Sequence, residues 1–246
     1  MQLRIKKHVL FTCLVLPLSC MAGTMGNSGS SKLWSIPLQG GFFGASQGKA
    51  QHIDIESLIG NRYTVENNSQ ISGLAGIGLY FNGYSQERIQ LSYGVNLFYL
   101  GQTTVRGDIV QEDLFTNLSY QYNIQNLPLY AAAKAIIATN NPTYNITFDA
   151  GIGPNFMWTS NYRETPLADF IVPDNAFKGS SSTTFSVTAG VGLRLNDILG
   201  PMPIECGYRF FYLGKGNLSK ENDLYLNTLN TGDTYANALV CSVTVF

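Results

Sequence analysis

The sequence predicts an all-β chain folded as an antiparallel, up-and-down, eight-stranded transmembrane β-barrel. Three observations carry this. First, long stretches alternate strictly between apolar and small or polar residues. In Ile146–Trp158, the residues Ile146, Phe148, Ala150, Ile152, Pro154, Phe156 and Trp158 share one face, and Thr147, Asp149, Gly151, Gly153 and Asn155 share the other. Second, charged residues make up 13% of the chain, about half the usual share near 25%. Yet beyond the leader no run is apolar enough for a membrane helix, which is the signature of strands with every second residue polar. Third, the spacers between the alternating stretches are long and short in turn, as in barrels of the bacterial outer membrane.

The chain opens with Arg4, Lys6 and Lys7, an apolar run Val9–Leu18, and the small-x-small site Cys20-Met21-Ala22. This reads as a cleaved export signal over residues 1–22, with an apolar run too short to span a bilayer as a helix. Ser19-Cys20 also resembles the end of a lipobox, but Pro17 stands where a lipobox has Leu. Removing the leader takes three of 15 basic residues and none of 16 acids, leaving 12 against 16, a net charge of −4. No basic patch remains to favour nucleic acid. Residues 23–33 are expected to form a short periplasmic segment and 34–246 the barrel.

Strands are expected near 34–44, 73–83, 89–100, 119–137, 146–158, 183–196, 203–213 and 234–246. In the fourth, the apolar residues change from even positions (Tyr120, Tyr122, Ile124) to odd ones (Leu127, Leu129, Ala131, Ala133, Ala135), which suggests a bulge. Long connections at 45–72, 101–118, 159–182 and 214–233 are expected outside the cell. Short ones at 84–88, 138–145 and 197–202 are expected in the periplasm, together with both termini. The polar face is rich in Gly, Ser, Thr and Asn and poor in Lys and Glu. That suits a narrow lumen better than a water-exposed surface. Trp34, Phe81, Tyr84, Tyr99, Trp158, Tyr212, Tyr235 and Phe246 stand at strand ends, as interfacial girdles do.

Five charges fall on the lumen parity: Lys134, Asp149, Arg194, Glu205 and Arg209. Hairpin symmetry sets Lys134 opposite Asp149, Asp149 close to Arg194, and Arg194 opposite Glu205. The result is an alternating ladder across four neighbouring strands, with Arg209 above Glu205. Its reading is a plug that locks register, with a gate or proton path as the alternative. The same symmetry sets Cys206 opposite Cys241, both facing lipid, in proximity without a required bond. No Cys/His cluster suggests a metal.

Two motifs invite a functional reading. Arg106-Gly107-Asp108 resembles an integrin-binding tripeptide, although Val105 and Ile109-Val110 suggest extended strand around it. His52, with Asp54 and nearby serines, is the only histidine after the leader and could serve acyl transfer on lipids; a solvated loop histidine is the plainer account. Loop acids Asp54, Glu56, Glu112, Asp113, Glu221 and Asp223 match no calcium-loop spacing.

The segments Ala22–Gly26, Thr184–Leu193, Gly207–Phe210 with Gly214-Lys215, and Thr234–Phe246 resemble a group of small outer-membrane barrels of intracellular gamma-proteobacteria. The resemblance implies a barrel similar to the transmembrane domain of OmpA, with no enzyme activity and no cofactor. The resemblance names a place more than a job; the role expected from the residues is structural or surface-interaction through the four long loops, with a narrow solute channel as the alternative and a lipid-modifying enzyme or Arg-Gly-Asp adhesin behind it. The expected partners are membrane lipid and lipopolysaccharide, the barrel-insertion machinery through the strand ending in Phe246, and an unidentified host or envelope partner at the loops. In that last strand Leu239, Cys241, Val243 and Val245 form the apolar face, one residue out of register with Phe246.

Overall fold

The computed structural model describes residues 33–66, 70–200 and 202–246. The expected leader and nearly all of the segment 23–33 lie outside these. Twelve strands are present: β1 (Trp34–Ser46), β2 (Gln51–Ile53), β3 (Asn61–Tyr63), β4 (Gln70–Gln86), β5 (Ile89–Gln111), β6 (Phe115–Ala138), β7 (Tyr144–Pro166), β8 (Phe177–Lys178), β9 (Ser181–Leu199), β10 (Met202–Gly214), β11 (Ser219–Lys220) and β12 (Thr234–Val245). Eight of them close an antiparallel ring in the order β1-β4-β5-β6-β7-β9-β10-β12, and β12 pairs back onto β1. Every expected barrel strand is there. The start of β1 and the end of β12 lie with the short turns, and the opposite end carries the long excursions.

Burial has the polarity of a membrane barrel. Ser92, Asn96, Thr147, Ser186 and Thr188 are buried, whereas Phe42, Ile71, Ile77, Phe148, Ile152, Phe185 and Leu239 are exposed. In water that arrangement would leave a continuous apolar belt unpaired; in lipid it is the stable one. Trp34 is the register partner of Phe81 at the turn end of the belt. At the loop end, Tyr99, Trp158 and Tyr235 face outward, and the Tyr99 hydroxyl accepts a hydrogen bond from Gln125.

β5, β6 and β7 are 23, 24 and 23 residues long, against the roughly 9–11 that cross a bilayer. The excess projects beyond the belt, and its polarity inverts there. From Leu118 to Ile136 β6 keeps even positions inward. Near the turn end its outward residues are Leu127, Leu129, Ala131 and Ala133; beyond Asn126 they become Asn117, Ser119, Gln121 and Gln125, while Leu118, Tyr120, Tyr122 and Ile124 turn inward. The expected bulge in this strand is therefore corrected. The apolar side changes because the surrounding solvent changes, with no change of phase. The register shifts lie elsewhere: against β5 between Leu100 and Thr103 and again at Ile109 and Val110 near the tight turn, and against β7 between Gln121 and Asn123.

The second long connection is also corrected. Residues 101–111 and 115–118 are strand, and β5 and β6 meet in a tight turn with Glu112 and Asp113 at positive φ. β3 pairs with the upper part of β5, continuing the sheet where β4 has ended. Above the belt, Ile53, Tyr63, Ile109, Leu118, Tyr122, Phe177, Leu218 and Tyr225 form a separate hydrophobic core. The long connections thus fold into a platform on the barrel.

Candidate functional site

Two regions gather chemistry: the lumen and the loop-end platform. In the lumen, hairpin geometry sets the rows. Lys134 faces Asp149 and Arg194 faces Glu205, as the turns dictate. The third expected contact fails, since Asp149 faces Gly190, and Arg194 faces Asn145 closer to the turn end. The ladder is corrected to two crossed ion pairs. Lys134 Nζ binds Glu205 Oε2 at 2.6 Å, and Arg209 Nη2 binds Asp149 Oδ1 at 2.6 Å. Arg194 stands apart and donates to Asn196 at 3.2 Å.

Gly190 explains the second pair. It is the register partner of both Asp149 and Arg209, so the ion pair reaches over one strand, a span of about 9.6 Å between the outer two backbones. A Cβ at Gly190 would lie 2.8 Å from Asp149 Oδ2 and would close that passage. The guanidinium of Arg209 also sits over the Phe98 ring, 4.9 Å from its centroid, where the ring face attracts a cation.

Above the charges lies an aromatic layer that the alternation did not reveal. Phe98, Tyr130 and Phe211 fill the cross-section, with Phe98 and Phe211 centroids 5.2 Å apart and all three rings inaccessible to solvent. The Tyr130 hydroxyl meets Ser186 Oγ at 2.6 Å. Each ring stands on its strand's lumen parity, so an aromatic at such a position was the available signal. Higher still, Asn155 donates to Asn126 Oδ1 and to the Leu213 carbonyl.

The platform is held by Glu164, which sequence reasoning passed over. Its carboxylate accepts the backbone N–H groups of Asp174 and Asn175 at 2.9 Å and of Ala176 at 3.1 Å, as well as the Tyr162 hydroxyl at 2.5 Å. Tyr225 donates to Asp174 at 3.1 Å, tying the last long connection to the same point. Burial pushes the phenols of Tyr63 and Tyr225 up, and the Asp174 carboxylate adds to the shift at Tyr225.

The two motifs fall at this end. Arg106, Gly107 and Asp108 pair with Gln121, Tyr120 and Ser119 in mid-strand, and the main chain of Asp108 is bonded to Thr64. The tripeptide is ladder, with its Gly facing the platform interior. His52 Nε2 lies 2.9 Å from the Ile59 carbonyl, an acceptor only, so this nitrogen carries a proton and donates. Asp54 and Asp113 flank the ring at 3.7 and 3.8 Å. These contacts join β2 to the 112–113 turn.

Among the described residues, exposed apolar side chains crown the platform, including Leu58, Ile59, Leu114, Phe115, Phe170 and Val172; Phe170 is 84% exposed. The excursions that carry them touch one another. Ile59 N–H donates to Glu112, Leu167 N–H to the Asn117 carbonyl, and Glu56 N–H to the Leu224 carbonyl.

On the outer wall, Cys206 and Cys241 face each other as expected, with Cα atoms 4.0 Å apart, and they form a disulfide. The expectation of proximity without a required bond is corrected in this respect.

The sequence matches no protein-family model and no curated protein. Among solved structures, the chain is similar to the outer-membrane protease OmpT of Escherichia coli, at 7% identity and a TM-score of 0.51, over 89% of this chain and 98% of that one. It is also similar to the outer-membrane protein OprG of Pseudomonas aeruginosa, at 12% identity and a TM-score of 0.47, over 87% and 96%. Neisserial surface protein A gives 11% identity and a TM-score of 0.42, over 86% and 96%. At these identities the likeness is one of fold: the chain has the fold of an outer-membrane β-barrel.

Proposed function

We propose that this protein is an integral outer-membrane barrel that acts at its loop end, as a rigid platform contacting a partner outside the cell. The carrying observation is the inversion of polarity along β6, which makes the projecting sheet a water-facing domain with its own core. Its crown of Leu58, Ile59, Leu114, Phe115, Phe170 and Val172 gives that domain an apolar contact face. In this reading both termini are periplasmic and the platform stands above the lipopolysaccharide leaflet. The C-terminal strand ending in Phe246 is what the insertion machinery engages. The chain then belongs with the small barrels of gamma-proteobacteria built like the transmembrane domain of OmpA.

The buried aromatic layer speaks against the channel, and the engagement of His52 by the Ile59 carbonyl speaks against a lipid acyltransferase. The partner is a macromolecule with an exposed apolar surface, for which Arg106, Gly107 and Asp108 are not the contact. The test is adhesion of intact cells to host-cell monolayers, with the protein present or absent and with the Phe115→Asp, Phe170→Asp double variant. The proposal expects adhesion to follow the wild-type protein and to be lost in the variant while heat-modifiable gel migration is kept. Equal adhesion by all three strains refutes it, and reproducible planar-bilayer conductance would restore the channel.

A further inference from the structure

Cys206 and Cys241 lie on the outward face of β10 and β12, in the lipid belt. The register partner of Cys206 on β9 is Leu193, and that of Cys241 on β1 is Gly40, between the outward Leu38 and Phe42. Along β12, outward Leu239 and Val243 flank Cys241. The bond stands six residues from Tyr235 at one girdle and four from Val245 at the other end of β12. On a strand tilted near 40°, that is about 10 Å or more from either border. The sulfurs are therefore in hydrocarbon.

This placement constrains when the bond is made. Disulfides form by attack of a thiolate, and an oxidant must reach the sulfur. Hydrocarbon penalises the thiolate, which loses its hydration, and excludes a water-soluble oxidant protein. We propose that Cys206 and Cys241 are joined in the periplasm, on the unfolded chain, by a protein of the dithiol–disulfide oxidase class, before the barrel enters the membrane. The Cys206 thiolate attacks the oxidase disulfide, forming a mixed disulfide and releasing one oxidase thiolate. The Cys241 thiolate then attacks the Cys206 sulfur of the mixed disulfide, forming the Cys206–Cys241 bond and releasing the second oxidase thiolate. The two cysteine protons end on the oxidase, which leaves as the dithiol.

The consequence is an order of assembly. The bond closes a separation of 35 residues and fixes opposed positions of the last hairpin. β12, the strand that must also pair with β1 to close the ring, then arrives with its partner β10 already in register. A one-residue slip would turn its lipid face into the lumen, and the bond forbids that slip.

The inference rests on the membrane reading, and two measurements separate them. In cells depleted of insertion machinery, the precursor is acid-trapped and alkylated. It should carry the bond already; a reduced precursor beside an oxidised inserted barrel overturns the proposal. In vitro, the reduced chain is folded into lipid vesicles and given oxidised glutathione. Its thiols should oxidise slower by about tenfold or more than those of the same chain in urea, and equal rates overturn the proposal. Free thiols in the barrel purified from cells would remove the bond itself. A chain that never gains heat-modifiable migration in vesicles fails the membrane reading first.

Discussion

Breaking the Arg209–Asp149 pair is the sharpest test of the lumen. The side chains are 9% and 6% exposed and their atoms meet at 2.6 Å, so solvent screens them little. Asp149→Ala leaves Arg209 buried without its counter-charge, a loss of about 3–5 kcal/mol. The Phe98 ring under the guanidinium retains about 2 kcal/mol of attraction at a desolvated site, too little to hold the charge. Arg209→Leu should cost a similar amount, with Asp149 stranded. Replacing both, as Asp149→Val with Arg209→Leu, removes the desolvation penalty along with the attraction. Stability should then return to within about 1 kcal/mol of the parent or exceed it. The assay is urea unfolding in lipid vesicles, followed by heat-modifiable migration, with the four proteins closing a double-mutant cycle. Single variants that each lose less than about 1 kcal/mol with no coupling would show a water-filled lumen, and the plug would be refuted.

Gly190→Val should lower the unfolding midpoint nearly as much as Asp149→Ala, because its side chain meets the Asp149 carboxylate; an unchanged midpoint removes the spanned row. Glu164→Ala leaves the Asp174, Asn175 and Ala176 N–H groups without their acceptor, at about 1–3 kcal/mol for the buried Ala176 N–H and less for the other two, which water can reach. Protease added to intact cells should then cut within 167–180, with the barrel core surviving, whereas the parent resists. Alkali should open the platform before the belt. The Tyr63 and Tyr225 phenols are raised in the folded state, so their stabilisation is complete below the unfolded value near 10 and is lost as pH rises above it. Tyrosinate absorbance should lag free tyrosine above pH ~10 and then rise together with protease sensitivity; simple titration near 10 for every tyrosine would contradict this.

How much could be read without the structure follows from how local each cause is. Alternation fixes which side of a strand is which, because successive side chains point to opposite faces. All eight barrel strands were legible for that reason. Short turns fix register by symmetry, so Cys206 facing Cys241, Lys134 facing Asp149 and Arg194 facing Glu205 could be counted from the hairpins. The long excursion 167–180 has no such symmetry, and there the counting failed for Asp149 and Arg194.

The sequence by itself determined the barrel, its lipid face and those registers. The tertiary structure decided which charges meet, since Lys134 and Glu205 join across strands that are not neighbours and only the closed ring brings them within reach. It decided that the lumen is stoppered by Phe98, Tyr130 and Phe211, three rings from three distant segments. It also decided that the loops are a folded body. Alternation reports two faces but not which solvent each meets. From Leu118 to Ile136 β6 carries one parity through both membrane and water, and the switch from Leu127 outward to Tyr122 inward acquires its meaning only where the strand leaves the lipid belt.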